Sequence, residues 1–431
     1  MMRYAPTVGL VAFVLSLPAL ALVASLTAPQ PHRALLPQTR AREVPSPVDP
    51  KLYAALERCE DAPRDVEARS LYAILLTQKA REVGNAAYHV LAEKEARAAL
   101  DVAPTHDGAR SALAVALLGQ HRFADALAFV RSLEGKTTWR LACEVDALSE
   151  LGRYAEAVAA ADRLVSFKPG TEAYTRIALL REIHGDPGGA LEVWDHALQG
   201  LQHEGVDRAW TTAQIGDLQL RRGDVEAATA AYEESLHALP GYWLACVGLA
   251  RCDVARGELA RAEERLVPLM EAHGDVVTAA LLGDVQELRG HADEAETTRE
   301  RLLESEAASA ALGAPDPRGL ALFLADNERE LERAVTLARS AERTAATIVN
   351  EDALAWALFR SGNKAEALEH ARLALRTNTR NPQILEHAGE IALASGDAMG
   401  EAYLLKAMRG GLAADARALA RARVLLSGIA R

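Results

Sequence analysis

An internal period constrains this chain more than any other feature. Gly152, Gly185, Gly223, Gly257, Gly290, Gly362 and Gly396 are separated by 33, 38, 34, 33, 72 and 34 positions, the 72 being two units. A second ladder runs through Ala92, Ala126, Ala157, Ala190, Ala228, Ala262, Ala295, Ala334, Ala367 and Ala402, in steps of 31 to 39. Two residue types sharing one period near 34 mark a repeated supersecondary unit. Such units bury their apolar faces against their neighbours, so the chain folds as a stack around no single centre.

The stretch "LSELGRYAEAVAAADRLVSFKP" (148–169) shows the chemistry of one unit. A helix ends at Gly152, because glycine tolerates the positive φ of a helix C-terminal stop. A second helix follows with Ala157, Ala161 and Leu164 on one face at i, i+4 and i+7. Pro169 then closes the unit, since the residue before a proline is driven out of helical geometry. A small residue at the Ala157 position lets two helix backbones approach. Composition agrees: half of the residues are hydrophobic but only 5% are aromatic. A bias to Ala, Leu, Glu and Arg favours helix over sheet.

These residues resemble the tetratricopeptide repeat family, a helix–turn–helix unit of 34 residues. Gly216, Gly223, Ala228, Tyr232 and Pro240 fit the family pattern in one unit, with Ser235 replacing an alanine. Ala355, Gly362, Ala367 and Ala374 fit it in a later unit, with Ala371 in place of a large residue. The likeness covers about residues 66–410, near ten units, and suggests an exported bacterial type. It implies an all-α right-handed α-solenoid whose first helices line a concave, partner-binding groove. Two departures stand out: a long inter-helix insertion is expected around Gly84-Asn85, and the Ala334 unit lacks its turn glycine.

The remainder divides as follows. Residues 1–26 read as a signal peptide or membrane anchor, because Val8 to Leu26 carry no charge and Ala19-Leu20-Ala21 forms a cleavage pattern. Residues 27–50 are a Pro-rich linker expected to be disordered. Residues 51–311 form an N-terminal array with a capping helix, led by Asp49 as N-cap and Pro50 at the first helical position. Residues 312–319 ("LGAPDPRG") form a hinge loop, 320–410 carry further units, and 411–431 form a C-terminal capping helix. Arg417, Arg421, Arg423 and Arg431 on that helix read as a solvated face, or as a basic docking patch. A leader followed by a spacer places the body outside the cytoplasm, in the periplasm or at the inner membrane.

The functional classes narrow by what the sequence lacks. A net charge of −12 opposes bulk binding to nucleic acid. Four cysteines show no CxxC spacing and read as buried apolar residues. There is no GxxxxGK[ST], HExxH or GxSxG motif, so no catalytic residue, cofactor or metal site is expected. Glu366 and His370 share a helix face and read as an ordinary i,i+4 contact. The expected function is that of a non-catalytic scaffold for a protein or peptide partner in the assembly or maintenance of an envelope complex; the alternatives are a membrane-anchored, chaperone-like adaptor and, after it, a helical-repeat RNA binder or a metal-dependent enzyme. Six positions before each turn glycine, a row reads Asp146, Leu179, Asp217, Arg251, Asp284, Trp356 and Glu390. Asp146, Asp217, Arg251, Asp284, Trp356 and Phe359 are the candidate partner-binding residues, with Trp356 and Phe359 as exposed anchors. Such a groove suits a basic, partly apolar segment.

Overall fold

The computed structural model describes residues 47–272, 275–311 and 316–429, and these contain helices and no strand. The expected N-terminal leader, most of the expected linker and the centre of the expected hinge therefore lie outside the described residues. A leading helix, Asp49–Asp61, is followed by ten helix pairs running from Val66 to Arg409. A short 3-10 turn, Gly411–Ala414, then leads into a final helix, Ala416–Ile429. The fold is an all-α solenoid.

Each ladder has a physical counterpart. Nine of the ten ladder alanines are fully buried where the second helix of a pair crosses the first, as at Ala92, Ala157, Ala228 and Ala367, and Ala402 is half-buried. All seven ladder glycines have positive φ, between 71° and 92°. The two units that break the glycine ladder keep the same turn with other residues: His121 (φ 57) in one and Glu328 (φ 52) in the other. The missing glycine is thus a substitution within the turn rather than a lost unit. No long insertion follows Gly84. The first helix of that pair is extended to 18 residues, Val66–Val83, and the second begins at Ala87.

The leading helix begins at Asp49, so Asp49 lies in its first turn instead of capping it. Its carboxylate meets the buried Lys79 ammonium at 2.7 Å. Within the expected hinge, Asp316 caps the helix Pro317–Asp326 by accepting from the Gly319 N–H at 2.9 Å. One apolar cluster, including Val276, Leu302, Leu320, Trp356 and Ile391, runs across this stretch.

Contacts between distant pairs set the overall shape. The Ile348 N–H donates to the Tyr154 hydroxyl at 3.0 Å, across 194 positions. Tyr154 packs with Ile348, Ala374 and Ile384, and the Arg376 guanidinium lies 5.4 Å from its ring centroid. The solenoid therefore winds until its later pairs rest on its earlier ones. The first five pairs, Val66 to Ala238, form one superhelical turn, and the pairs from Trp243 to Arg409 form the next.

The turn glycines form the seam between the two turns. A Cβ on Gly152 would collide with the Ala346 carbonyl, one on Gly185 with the Asn378 carbonyl, and one on Gly84 with the Trp243 ring. Gly223 sits against the Gly410 carbonyl. The second-turn glycines Gly257, Gly290, Gly362 and Gly396 have open space at the same position. First-turn glycines thus satisfy two demands, a left-handed backbone and a close approach.

Candidate functional site

The first helix of each pair faces the axis of the winding, and the two turns enclose two different lumens. In the first turn the inner helices surround a cavity of about 1240 Å³. Val115, Leu118, Leu179, Ile183 and Trp210 supply apolar wall. Residues Asp316–Arg318 and Ala341–Asn350 of the second turn contribute to one side. Two of its ion pairs are internal: Arg176 to Asp146 at 2.6 Å and Arg81 to Asp207 at 2.9 Å.

Glu150 opens onto the cavity space while protein surrounds it. Burial pushes its carboxyl up, and nearby Arg318 pulls it partly back. His89, also in the wall, is pushed down to about 4, first by burial and then by His121 and Arg81. Gly119 is required opposite it, because a Cβ there would enter the His89 ring.

The second lumen is filled by the chain's own final helix. Ala416–Ile429 crosses the inner faces of successive pairs, with Asp415 capping it through the Ala418 N–H at 2.9 Å. Arg417 pairs with Asp284. Arg421 grips Glu386 with two bonds of 3.2 Å, reaches Glu390 at 3.6 Å, and lies 5.2 Å from the Trp356 ring centroid. Arg417 and Arg421 share one face at i,i+4 spacing. Next to them, Ala418 and Ala422 are buried against Leu385, Leu404 and Leu412.

Beneath this helix lies a buried charged cluster. Trp356 stacks on His387 at 4.2 Å and 8°, and its Nε1–H donates to Asp326 at 2.8 Å. His387 Nδ1 meets both Asp352 oxygens at 3.1 Å. Burial alone would lower the His387 pKa. The Asp352 carboxylate, with Glu386 and Asp326 beyond it, outweighs burial and holds the imidazolium up to about 9. Asp284 is pushed up to about 6 by burial, even with Arg417 against it.

The candidate residues fall into separate groups. Asp146 lies in the first cavity beside Arg176. Asp217 accepts from the Tyr232 hydroxyl at 2.6 Å, and that ring is clamped between Gly216 and Gly248. Arg251 is half-buried and has no ion pair among the described residues. Asp284, Trp356 and Phe359 belong to the second lumen or its wall. Trp356 is not an exposed anchor: its exposure is 0%, and Phe359 packs beside it with ring centroids 5.6 Å apart. The glycine-indexed row missed Asp326 and Glu386, which lie off its register. Asp326 also belongs to the pair whose turn glycine is replaced by Glu328.

Other sequence expectations also meet their partners here. Glu366 and His370 do not pair with each other: Glu366 contacts Arg339 at 2.7 Å, and His370 meets Glu351 at 2.7 Å. All four cysteines are free thiols, and burial pushes Cys143 up to about 12. Among the described residues, no helix is long and apolar enough to cross a membrane, and no group of three metal-ligand side chains converges.

These features define an all-α solenoid of repeated helix pairs. Residues 219–281 match the family model described as tetratricopeptide repeat. No curated protein matches the chain. Among solved structures, it is similar to the human IFIT1 dimer with m7Gppp-AAAA, at 17% identity over 77% of each chain and a TM-score of 0.47. It is also similar to the APC/C hetero-tetramer Cut9–Hcn1, at 14% identity over 87% of this chain and 86% of that one, with a TM-score of 0.41.

Proposed function

We propose that this protein is an exported, non-catalytic scaffold that holds a segment of a partner protein in its first lumen, in the assembly or maintenance of an envelope complex. The observation that carries the reading is the 1240 Å³ cavity. Pockets for small ligands run to about 300–1,000 Å³, so this space favours a peptide. Its apolar wall suits a partly apolar segment, whose basic groups Glu150 and Glu172 would meet and whose acidic groups Lys168 and Arg318 would meet. Export rests on the uncharged stretch from Val8 to Leu26 and its cleavage pattern.

A photo-crosslinking residue placed at Leu179, in the cavity wall, should capture one partner segment from the envelope. The same residue at Asp162, on an exposed outer helix, should not. Equal capture at both positions, or none at Leu179, would move the site elsewhere. Mass measurement of the mature protein tests export: a chain beginning beyond Ala21 supports cleavage, whereas retention of residues 1–26 supports an anchored adaptor.

A further inference from the structure

The second lumen presents a built receptor with its occupant in place. Four consecutive inner helices contribute Asp284, Asp326, Trp356 and Glu386 to one strip, with Glu390 beside Glu386. The occupant offers an arginine and a small residue together, twice, four positions apart: Arg417-Ala418 and Arg421-Ala422. The arginines meet the carboxylates while the alanines allow close backbone approach.

The seat is imperfect. A gap of about 470 Å³ remains beside the helix, bordered by Ala420, Leu288 and Arg360. Among its described side chains the final helix fully buries only Ala418 and Ala422, whereas its neighbour Pro382–Ala394 buries nine residues. Its attachment combines a partly exposed pair, Arg417 with Asp284, which contributes little in water, a second in which Arg421 meets the fully buried Glu386, and the half-buried Leu419, Leu425 and Leu426. The preceding 3-10 turn is firmly pinned: Gly411 packs so closely on the Leu220 carbonyl that a Cβ would collide. Asp415, between that turn and the helix, is an exposed extended residue that joins the two and caps the helix.

We infer that the second lumen is a receptor for a partner's basic amphipathic helix with arginine–small pairs four residues apart, and that helix Ala416–Ile429 holds the seat in cis until such a helix displaces it. This goes beyond the first-lumen reading and does not depend on it.

The probe is a synthetic peptide of residues 415–428, fluorescein-labelled, added to the full chain. Wild type should bind it weakly, because its own helix competes. The full-chain variant Arg417→Ala/Arg421→Ala should bind at least tenfold tighter, with unchanged helicity by circular dichroism. Adding Asp284→Asn and Glu386→Gln to that variant should abolish the gain, as should the two alanines placed in the peptide. Equal binding by wild type and the arginine variant would overturn the proposal.

Hydrogen exchange on the wild-type chain gives a readout that needs no variant. Saturating isotope-labelled peptide should expose the amides of 417–428 while those of 382–409 stay protected. Unchanged protection of 417–428 would sink the displacement. Sedimentation should show a monomer throughout, and a dimer dissolved by the peptide would assign the seat to a second copy and overturn a separate partner. Failure here leaves the Leu179 crosslink standing, so the two readings fail separately.

Discussion

The two turns of this solenoid are built from the same unit, yet one lumen is open and the other is filled. In the first, charges line a cavity and partly satisfy one another across it. In the second, arginines from the final helix neutralise carboxylates over a fully buried tryptophan. The repeat therefore sets the frame, and what occupies the axis depends on the side chains at a few inner positions. The same contrast recurs at the turns, where first-turn glycines bear on the second turn and second-turn glycines face open space.

The largest expected break in this comparison comes from its two tryptophans. Trp356→Ala should destabilise by about 3–5 kcal/mol, as for a fully buried aromatic, because it also strands Asp326 and His387. Trp210→Ala, in the wall of the open lumen, should cost roughly 1–2 kcal/mol. Thermal unfolding of both variants checks the pair, and equal losses would mean that the first lumen is as tightly packed as the second.

Next come the turn glycines. Gly185→Ala should cost ~3–4 kcal/mol, above the ~0.5–3 kcal/mol of most substitutions, since it adds a backbone collision to a left-handed residue. Gly362→Ala meets no neighbour and should cost only the left-handed penalty of ~1–2 kcal/mol. If the two variants melt alike, the turns do not bear on one another as described.

The histidines separate the turns by pH. His89 is held down to about 4, below the ordinary value of about 6.5. Stability tied to its neutral ring is present above about 6.5 and falls as the pH drops towards 4. His387 is held up to about 9, so its contribution is complete below about 6.5 and is lost as the pH rises through 9. His89→Gln should flatten the acid limb of a melting-temperature profile and His387→Gln the alkaline limb. Imidazole titration by NMR would locate both groups directly.

The smallest effect belongs to Glu150→Gln. Its carboxylate is disfavoured by burial and makes no ion pair with the described residues, so the change should alter stability by under ~1 kcal/mol. A large loss would reveal a stronger tie between Glu150 and Arg318 across the first cavity.

Much of the fold was legible in the two ladders, because turn geometry and helix crossing are local demands met by glycine and alanine. The candidate row was legible only in part. Asp284 and Trp356 stand where a concave face requires, but indexing from turn glycines skipped the pair with Glu328 and passed over Asp326. Trp356 looked like an exposed anchor because its covering residues, His387 and Arg421, lie 31 and 65 positions away. Arg421 lies beyond the repeats, on the final helix, so the period does not reach it.

By itself, the sequence determined the unit: where each helix stops, which face it buries and that units of this kind stack. Those outcomes depend on residues within one period of each other, so local backbone preference and side-chain spacing specify them. Only the tertiary structure decided how far the stack winds, which glycines meet a carbonyl from the next turn, and that the final basic helix lies in the second lumen. These depend on contacts across 100 to 200 positions, such as Arg417 with Asp284 and Tyr154 with Ile348. Small rotations at each helix pair accumulate along the array, and their sum brings those residues together.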